Sequence, residues 1–484
     1  MLSINSLYTL IQSMTKSEKR YFRLQNADRP GDRGFMKLYN LLEAEISREG
    51  SGLESLPSMF PGSTIEPARK HLYRVLMRAL RQFELDKNIE AKLSSLLQDS
   101  KILLDRGFIE ASAQTLARAK EIAFKNEKFI HFILLAQQEL RLETHSQYSR
   151  ISESDLIAKQ EAITRLLQHE VSSHQHFSIY EVLLLRYWKG KSINTSQKMV
   201  SLRDLLLEEH YILNSQSLES FEARQIHLLF QSTFMLMTGD SIGSMETLYE
   251  LDQLFRQHEH LWSKTPIYYV QTLNGILHTL RRMEKYEEMS FFIDRLSGLQ
   301  LDSENMRLSV KSQVMEHKLH AWLNLGLFND CLELIQNQVQ KFEKSIELLS
   351  LYDQAQLLFS ISRFWYLSGN LSKALQFINQ ILNKASLLMN KQLLVKYQLT
   401  YFMIHKGLDN RDLLAYELRS YERKIKKEGG TYKAEVMVLE LLKNWIGHRP
   451  TGQFYEALLQ LSEDPFEQIL ISDLGLKAWF KENS

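Results

Sequence analysis

Between Pro67 and Pro266 the chain contains no proline. Proline removes a backbone donor and its ring collides with the preceding turn, so helix interiors exclude it. A proline-free stretch of that length permits helix throughout, and no run of β-branched alternation competes with it. Of the seven prolines, four (Pro30, Pro57, Pro61 and Pro67) fall near the start. The chain therefore reads as all-α, with a front part built differently from the rest. At 484 residues it exceeds what one hydrophobic core normally serves, so it forms several domains or an elongated array.

The segment FSISRFWYLSGNLSKALQFINQIL, Phe359 to Leu382, predicts two helices joined at Ser368-Gly369. Glycine suits the residue after a last helical turn, where a left-handed conformation is often needed. Leu371, Ala374, Ile378 and Ile381 then line one face of the second helix, and the small Ala374 lets the two helices approach closely. The layout recurs in HAWLNLGLFNDCLELI, with Gly326 at the turn, Phe328 in the place of Leu371 and Cys331 in the place of Ala374. It recurs again in LHTLRRMEKYEEMSFFI, with Tyr286 and Met289 in those places. Tyr286, Phe328 and Leu371 are 42 and 43 residues apart. Weaker copies predict turns near Gly107, Gly190, Gly239, Gly407 and Gly452. A constant period of this size is the mark of a helical-repeat solenoid.

The pattern of an aromatic in the first helix, a glycine turn, an aromatic or leucine two residues on and then a small residue resembles the tetratricopeptide family. The resemblance is clearest over residues 270–385. It implies a right-handed α-solenoid of antiparallel helix pairs, with the first helices lining a concave face that receives a partner. The period of about 42 departs from the family's period of about 34, and Ser362 and Leu319 stand where the family prefers glycine. The opening MTKSEKRYF is also similar to the start of uncharacterised bacterial helical-repeat proteins, a resemblance that implies no activity.

Residues 1–90 read as a separate three-helix module, with helices over 15–26, 35–47 and 64–88, and residues 91–484 as the repeat array. Thr15 and Glu18 form a capping box, in which each side chain accepts from the other's amide. Lys16, Lys19, Arg20 and Arg23 share one side of the first helix. On the third, Leu72, Leu76, Ala79, Leu80 and Phe83 form an apolar stripe opposite Lys70, Arg74, Arg78 and Arg81. With a short helix after Leu53, this module is either a solenoid cap with solvated cationic faces or a helix-turn-helix variant whose cations meet phosphate. Its 14 Lys and Arg against 11 Asp and Glu are less basic than a dedicated nucleic-acid domain.

Composition and motifs argue against other classes. The formal net charge is +1, so no global field draws the chain to DNA or membrane. Cys331 is the single cysteine, which precludes an intrachain disulfide or a multi-cysteine zinc site. It reads as a buried packing thiol. No segment reaches the length of apolar sequence a membrane span needs, and the start has no export-signal pattern, so the expected location is the cytoplasm. Gly239-Asp240-Ser241-Ile242-Gly243 matches the letters of a nucleophile elbow, yet a helix rather than a strand precedes it. Gly190-Lys191-Ser192 lacks the first glycine of a phosphate loop. His169, Glu170 and His174 miss the zinc-protease spacing by one residue. His174, His176, His258 and His260 read as loop or helix-end residues. No cofactor or metal is expected.

Counting back from the three best turns places Gln271, Gln313 and Gln356 at one equivalent position, His278, His320 and Arg363 at another, and Asn274 and Glu316 at a third. Arg281, Arg282 and Tyr366 border them. These recur with the core positions yet are polar. Asn and Gln amides carry both donor and acceptor and suit main-chain recognition. The expectation is a non-enzymatic scaffold that binds a protein or peptide along this ladder. The alternative is a nucleic-acid-binding regulator that uses the basic front helices. Oligomeric state is not legible.

Overall fold

A computed structural model of the chain describes residues 3–26, 33–47, 65–85, 88–149, 151–189, 202–215, 220–263, 266–301, 303–339, 346–384, 391–428 and 432–483. Among these there is no strand, in agreement with the all-α expectation. The chain divides into two compact units, residues 1–168 with 301–307, and residues 169–300 with 308–484.

The first unit opens with four helices, α1 (Ile4–Ser13), α2 (Lys16–Asn26), α3 (Arg33–Ser47) and α4 (Ile65–Glu84). The sequence pattern predicts three; α1 is the addition, started by Ser3, whose side chain accepts from Ser6 N. The capping box heads α2: Thr15 Oγ1 accepts from the Glu18 amide at 3.2 Å, and the Glu18 carboxylate accepts from the Thr15 amide at 2.6 Å. Phe22 from α2, Leu38 and Tyr39 from α3, and Leu72, Leu76 and Ala79 from α4 close a core together with Leu7 and Ile11 of α1. The apolar stripe of α4 is buried as its spacing predicts; Leu80 lies at the margin of this core, and Phe83 meets the Tyr21 ring at 5.4 Å. Residues 48–64, with the short helix expected after Leu53, lie outside the described residues. The fourth helix stops at Glu84 rather than 88, because Asn88 caps α5 (Ile89–Asp105) by accepting from the Glu90 and Ala91 amides. Then come α6 (Ile109–Lys125), α7 (Phe129–His145) and α8 (Glu153–Lys189), which spans the division between the units. His174 and His176 lie inside α8, not at a helix end. His176 is fully buried, with its Nδ1 3.0 Å from the Ser172 carbonyl one turn earlier.

The second unit continues with α9 (Arg203–Ser215), α10 (Phe221–Thr238), α11 (Ser241–Gln257), α12 (Ile267–Arg282), α13 (Met289–Ser297) and α14 (Glu304–Asn324), whose first residues count with the first unit. After these come α15 (Phe328–Leu334), α16 (Leu351–Leu367), α17 (Leu371–Leu382), α18 (Lys391–Gly407), α19 (Arg411–Glu428), α20 (Lys433–Ile446), α21 (Gln453–Leu461), α22 (Pro465–Leu474) and α23 (Leu476–Asn483). A π-helical turn, Ile335–Val339, extends α15. Side-chain caps start α10 (Ser220), α11 (Asp240), α16 (Ser350), α17 (Asn370) and α22 (Asp464), each satisfying an amide that has no intrahelical partner.

Tight corners join successive helices, and each turns through a residue in the left-handed region: Gly239, Glu284, Gly326, Gly369, Asp409 and His448. Where the helices approach, a small side chain five residues after the corner meets backbone seven residues before it, or the reverse. Ser244 Oγ donates to the Ser232 carbonyl at 3.0 Å, and Ser362 Oγ donates to the Ala374 carbonyl at 2.8 Å. Cys331 Sγ lies 4.0 Å from the Leu319 carbonyl. In the first unit, Ser112 and Ser100 repeat the arrangement about the left-handed Gly107. Burial pushes the Cys331 thiol up to about 12, so it packs without reactivity. Two expected turns fall elsewhere. Gly407 is helical and lets Leu371 approach, since a Cβ there would sit 2.8 Å from a Leu371 methyl; the corner is Asp409. Gly452 heads α21, and the left-handed residue is His448. Gly190 lies outside the described residues.

Replacing Gly369, whose Cβ position is open, with alanine should cost only the left-handed strain, about 1–2 kcal/mol. Gly239→Ala should cost about 1–3 kcal/mol more, because its Cβ would stand 2.9 Å from Pro465 Cβ. Urea unfolding midpoints of the two variants measure the difference.

Candidate functional site: a buried ionic ladder

The polar positions that recur along the first helices gather on one side of α12, α14 and α16, all in the second unit. At one end, Asn274 Nδ2 donates to Gln313 Oε1 at 2.9 Å, and His317 Nε2 meets Asn274 Oδ1 at 2.9 Å. Gln313 Nε2 in turn donates to Ser309 Oγ at 3.1 Å and to Asp353 Oδ1 at 3.3 Å. This end is partly open: Gln271 is exposed, and Asn274, His278 and Gln313 are half-buried.

The other end is closed. Arg281 Nη1 donates to Glu316 Oε1 at 2.7 Å, while its Nη2 and Nε donate to Asp473 Oδ1 at 2.7 and 3.0 Å. Asp473 belongs to α22 and lies 192 residues along the chain from Arg281. Its second oxygen takes Lys396 Nζ of α18 at 3.2 Å. Lys396 also donates to Gln356 Oε1, which accepts from Tyr397 Oη at 3.0 Å as well, and it stands over the Phe359 ring at 4.5 Å. Arg363 reaches His320 Nε2 at 3.2 Å and Asn324 Oδ1 at 3.3 Å. Arg282 clasps the start of α22, donating to the carbonyls of Leu236 at 2.7 Å and Pro465 at 2.9 Å.

Burial governs the charges. Desolvation opposes ionisation of Glu316, yet His317, protonated in that acid range, and Arg281 prevail and hold it down at about 2. Asp473 is likewise held well below the usual carboxylate range against its burial, by Arg281 and Lys396. Burial lowers His317 to about 3 and takes His320 well below its ordinary value, so both imidazoles are neutral. Burial and the nearby Arg281 lower Arg363 to about 10, and burial lowers Lys396. The closed end therefore sets three basic side chains, Arg281, Arg363 and Lys396, against two carboxylates, Glu316 and Asp473.

All ladder positions expected from the sequence thus meet, apart from Gln271 at the exposed edge. Tyr366 is half-buried beside Trp479, and burial raises its phenol to about 12. Arg281 and Arg282 are central to the docking of α22 rather than bordering the ladder. The front cations form no part of this site. Lys16, Arg20, Arg23, Lys70, Arg74, Arg78 and Arg81 are exposed and Lys19 is half-buried. Arg23 pairs with Glu43, and Lys70 lies 3.6 Å from Glu66.

Sequence reasoning missed Lys396, His317, Asn324 and Asp473. Lys396 had a signal: it stands thirteen residues before the Asp409 corner, as Gln271, Gln313 and Gln356 stand before Glu284, Gly326 and Gly369. Buried Glu435, which accepts from Tyr421 Oη at 2.7 Å, keeps the same offset from His448. Nothing marked Asp473. Gly239 ends α10 and Asp240 caps α11, so the nucleophile-elbow letters occupy a corner between helices. Among the described residues no group of three or more His, Cys, Asp or Glu is arranged to hold a metal, and no helix is long and apolar enough to cross a membrane. The chain matches no family model, no curated protein and no solved structure.

The ladder sets a pH dependence. A folded-state imidazole held at about 3 contributes stability that is complete above the unfolded value near 6.5 and is lost as pH falls from there through 3. Between pH 6 and 4, His317 should account for about 1.4 kcal/mol of lost stability per pH unit. Urea unfolding across that range should show a His317→Asn variant with a slope shallower by that amount.

Proposed function

We propose that the chain is a non-enzymatic interaction protein. It is a right-handed α-solenoid of antiparallel helix pairs, built on the tetratricopeptide plan with a period near 42, and it binds a protein or peptide partner along the ladder of its first helices. The repeat is supported by left-handed corners at 239, 284, 326, 369, 409 and 448 and by polar residues at a constant offset before five of them. The observation that carries the function is the placement of Asp473: a side chain from a helix remote in sequence sits among Arg281, Lys396 and His320. This face therefore has the chemistry to receive a segment that presents a carboxylate. A partner enters from the open end, at Gln271, Asn274 and Gln313. A photo-crosslinking residue in place of Gln271 should trap one defined protein in cells. The same residue at Gln336, exposed on the π-helical turn after α15, should not. Equal labelling from both positions refutes the ladder as the binding face.

A second reading has one observation behind it. Arg74, Arg78 and Arg81 lie on successive turns of α4, exposed and without an ion-pair partner among the described residues. Such a row suits phosphate and gives affinity that falls with salt. If the front module, residues 1–90, contacts nucleic acid, the full chain should bind duplex DNA at low salt, and the triple Arg→Ala variant should show a smaller salt slope, by about 2–3. No binding at low salt ends this reading.

A further inference from the structure

The helix that fills the ladder behaves as a bound ligand would. Its contacts fall into three sets. Leu470, Ile471 and Leu474 are its buried apolar face. Glu467 accepts from the Lys433 and Ala434 amides at the head of α20 at 2.8 and 3.0 Å. Asp473 supplies the charge that Arg281 and Lys396 require, and Ser472 meets Tyr286 Oη at 3.3 Å. This is the recognition set of an amphipathic helix in a groove: apolar anchors at helical spacing with a few placed polar groups.

The match is incomplete in one respect. Arg363 is buried, and its two hydrogen-bond partners, His320 and Asn324, are both neutral. The filling segment brings Gly475 close to its guanidinium, where a Cβ would lie 3.5 Å from Arg363 Nη2. Glycine brings no charge. The closed end thus offers one more cation than α22 neutralises, and buried charge without a counter-charge is unfavourable.

We propose that α22 and α23 are an internal occupant of the ladder, and that the partner is an acidic amphipathic helix which displaces them, presenting one carboxylate at the place of Asp473 and a second toward Arg363. This rests on the interaction reading above and names its ligand. The second carboxylate gives the partner an advantage over the resident helix at equal apolar contact. An aspartate also tolerates the left-handed conformation of position 475, φ 65°, better than most residues.

The test uses the full chain and fluorescein-labelled peptides spanning residues 463–483, read by fluorescence anisotropy. A peptide carrying Gly475→Asp should bind about tenfold tighter than the native peptide, and one carrying Asp473→Asn about tenfold weaker. Weakening the resident helix by Ile471→Ala in the full chain should tighten binding of the native peptide about tenfold or more and speed amide exchange in α22. Unchanged exchange in α16 and α18 certifies that this variant is folded, and the peptide series on the unaltered chain depends on no variant. Absence of binding by every peptide, or a Gly475→Asp peptide no better than the native one, overturns the proposal. Concentration-dependent dimers of the Ile471→Ala chain that capture no peptide also overturn it, by assigning the site to a second copy. If crosslinking at Gln271 still traps a protein when the peptides fail, the interaction reading stands and helix mimicry falls. If peptides bind as expected and Gln271 traps nothing, the exchangeable site stands and the reading of a cellular partner falls.

Discussion

One guanidinium organises the second unit. Arg281 joins α12 to α14 through Glu316 and to α22 through Asp473, and all three side chains are largely withdrawn from water. A buried charge is tolerable only when paired and hydrogen-bonded; removing one partner of such a cluster costs about 3–5 kcal/mol, whereas replacing the whole by apolar residues is often neutral or favourable. The ionic cluster is therefore not explained by stability. Apolar contacts such as those of Leu470, Ile471 and Leu474 hold the helices together. The cluster determines which helix they hold: a segment without a carboxylate at that place leaves three cations facing one anion. On the proposed reading the arrangement contributes selectivity, and the burden of burying it shows in the lowered titration of Arg363 and Lys396.

The hairpins were largely legible because their causes are local. A glycine corner, an apolar residue two places on and a small residue at the helix approach are all readable in Gly369, Leu371 and Ala374. Corners made by Glu284, Asp409 and His448 carry no such mark, since a side chain tolerates the left-handed region only where the surrounding structure holds it there. Taking Gly407 for the turn shifted the count by two residues and hid Lys396. Gly407 serves packing rather than the turn: its missing Cβ makes room for Leu371. The ladder positions were legible, but their burial was not. A recurring polar position on a helix reads as its solvated face, and only a covering element changes that. Here the cover is α22, whose contact with Arg281 joins positions too far apart in sequence for any periodicity to connect.

The two cationic features of the chain differ in kind, and the difference decides what each can recognise. The row on α4 stands in solvent, where ionic strength screens it beyond about 8–10 Å. Such charges steer an anion and hold it loosely, with little regard to its shape. Arg281, Arg363 and Lys396 are withdrawn from water, so their field is short in reach, weakly screened and fixed in direction by Glu316, His320 and Gln356. They reward a carboxylate only at the right atom. A partner bound at the ladder, as proposed, would therefore depend little on salt and strongly on the placement of one or two side chains, and one bound at α4 would do the reverse. The neutral imidazoles of His317 and His320 sharpen the contrast, because they fill the space around the cations with dipoles rather than further charge, and so leave Arg363 with neutral hydrogen-bond partners.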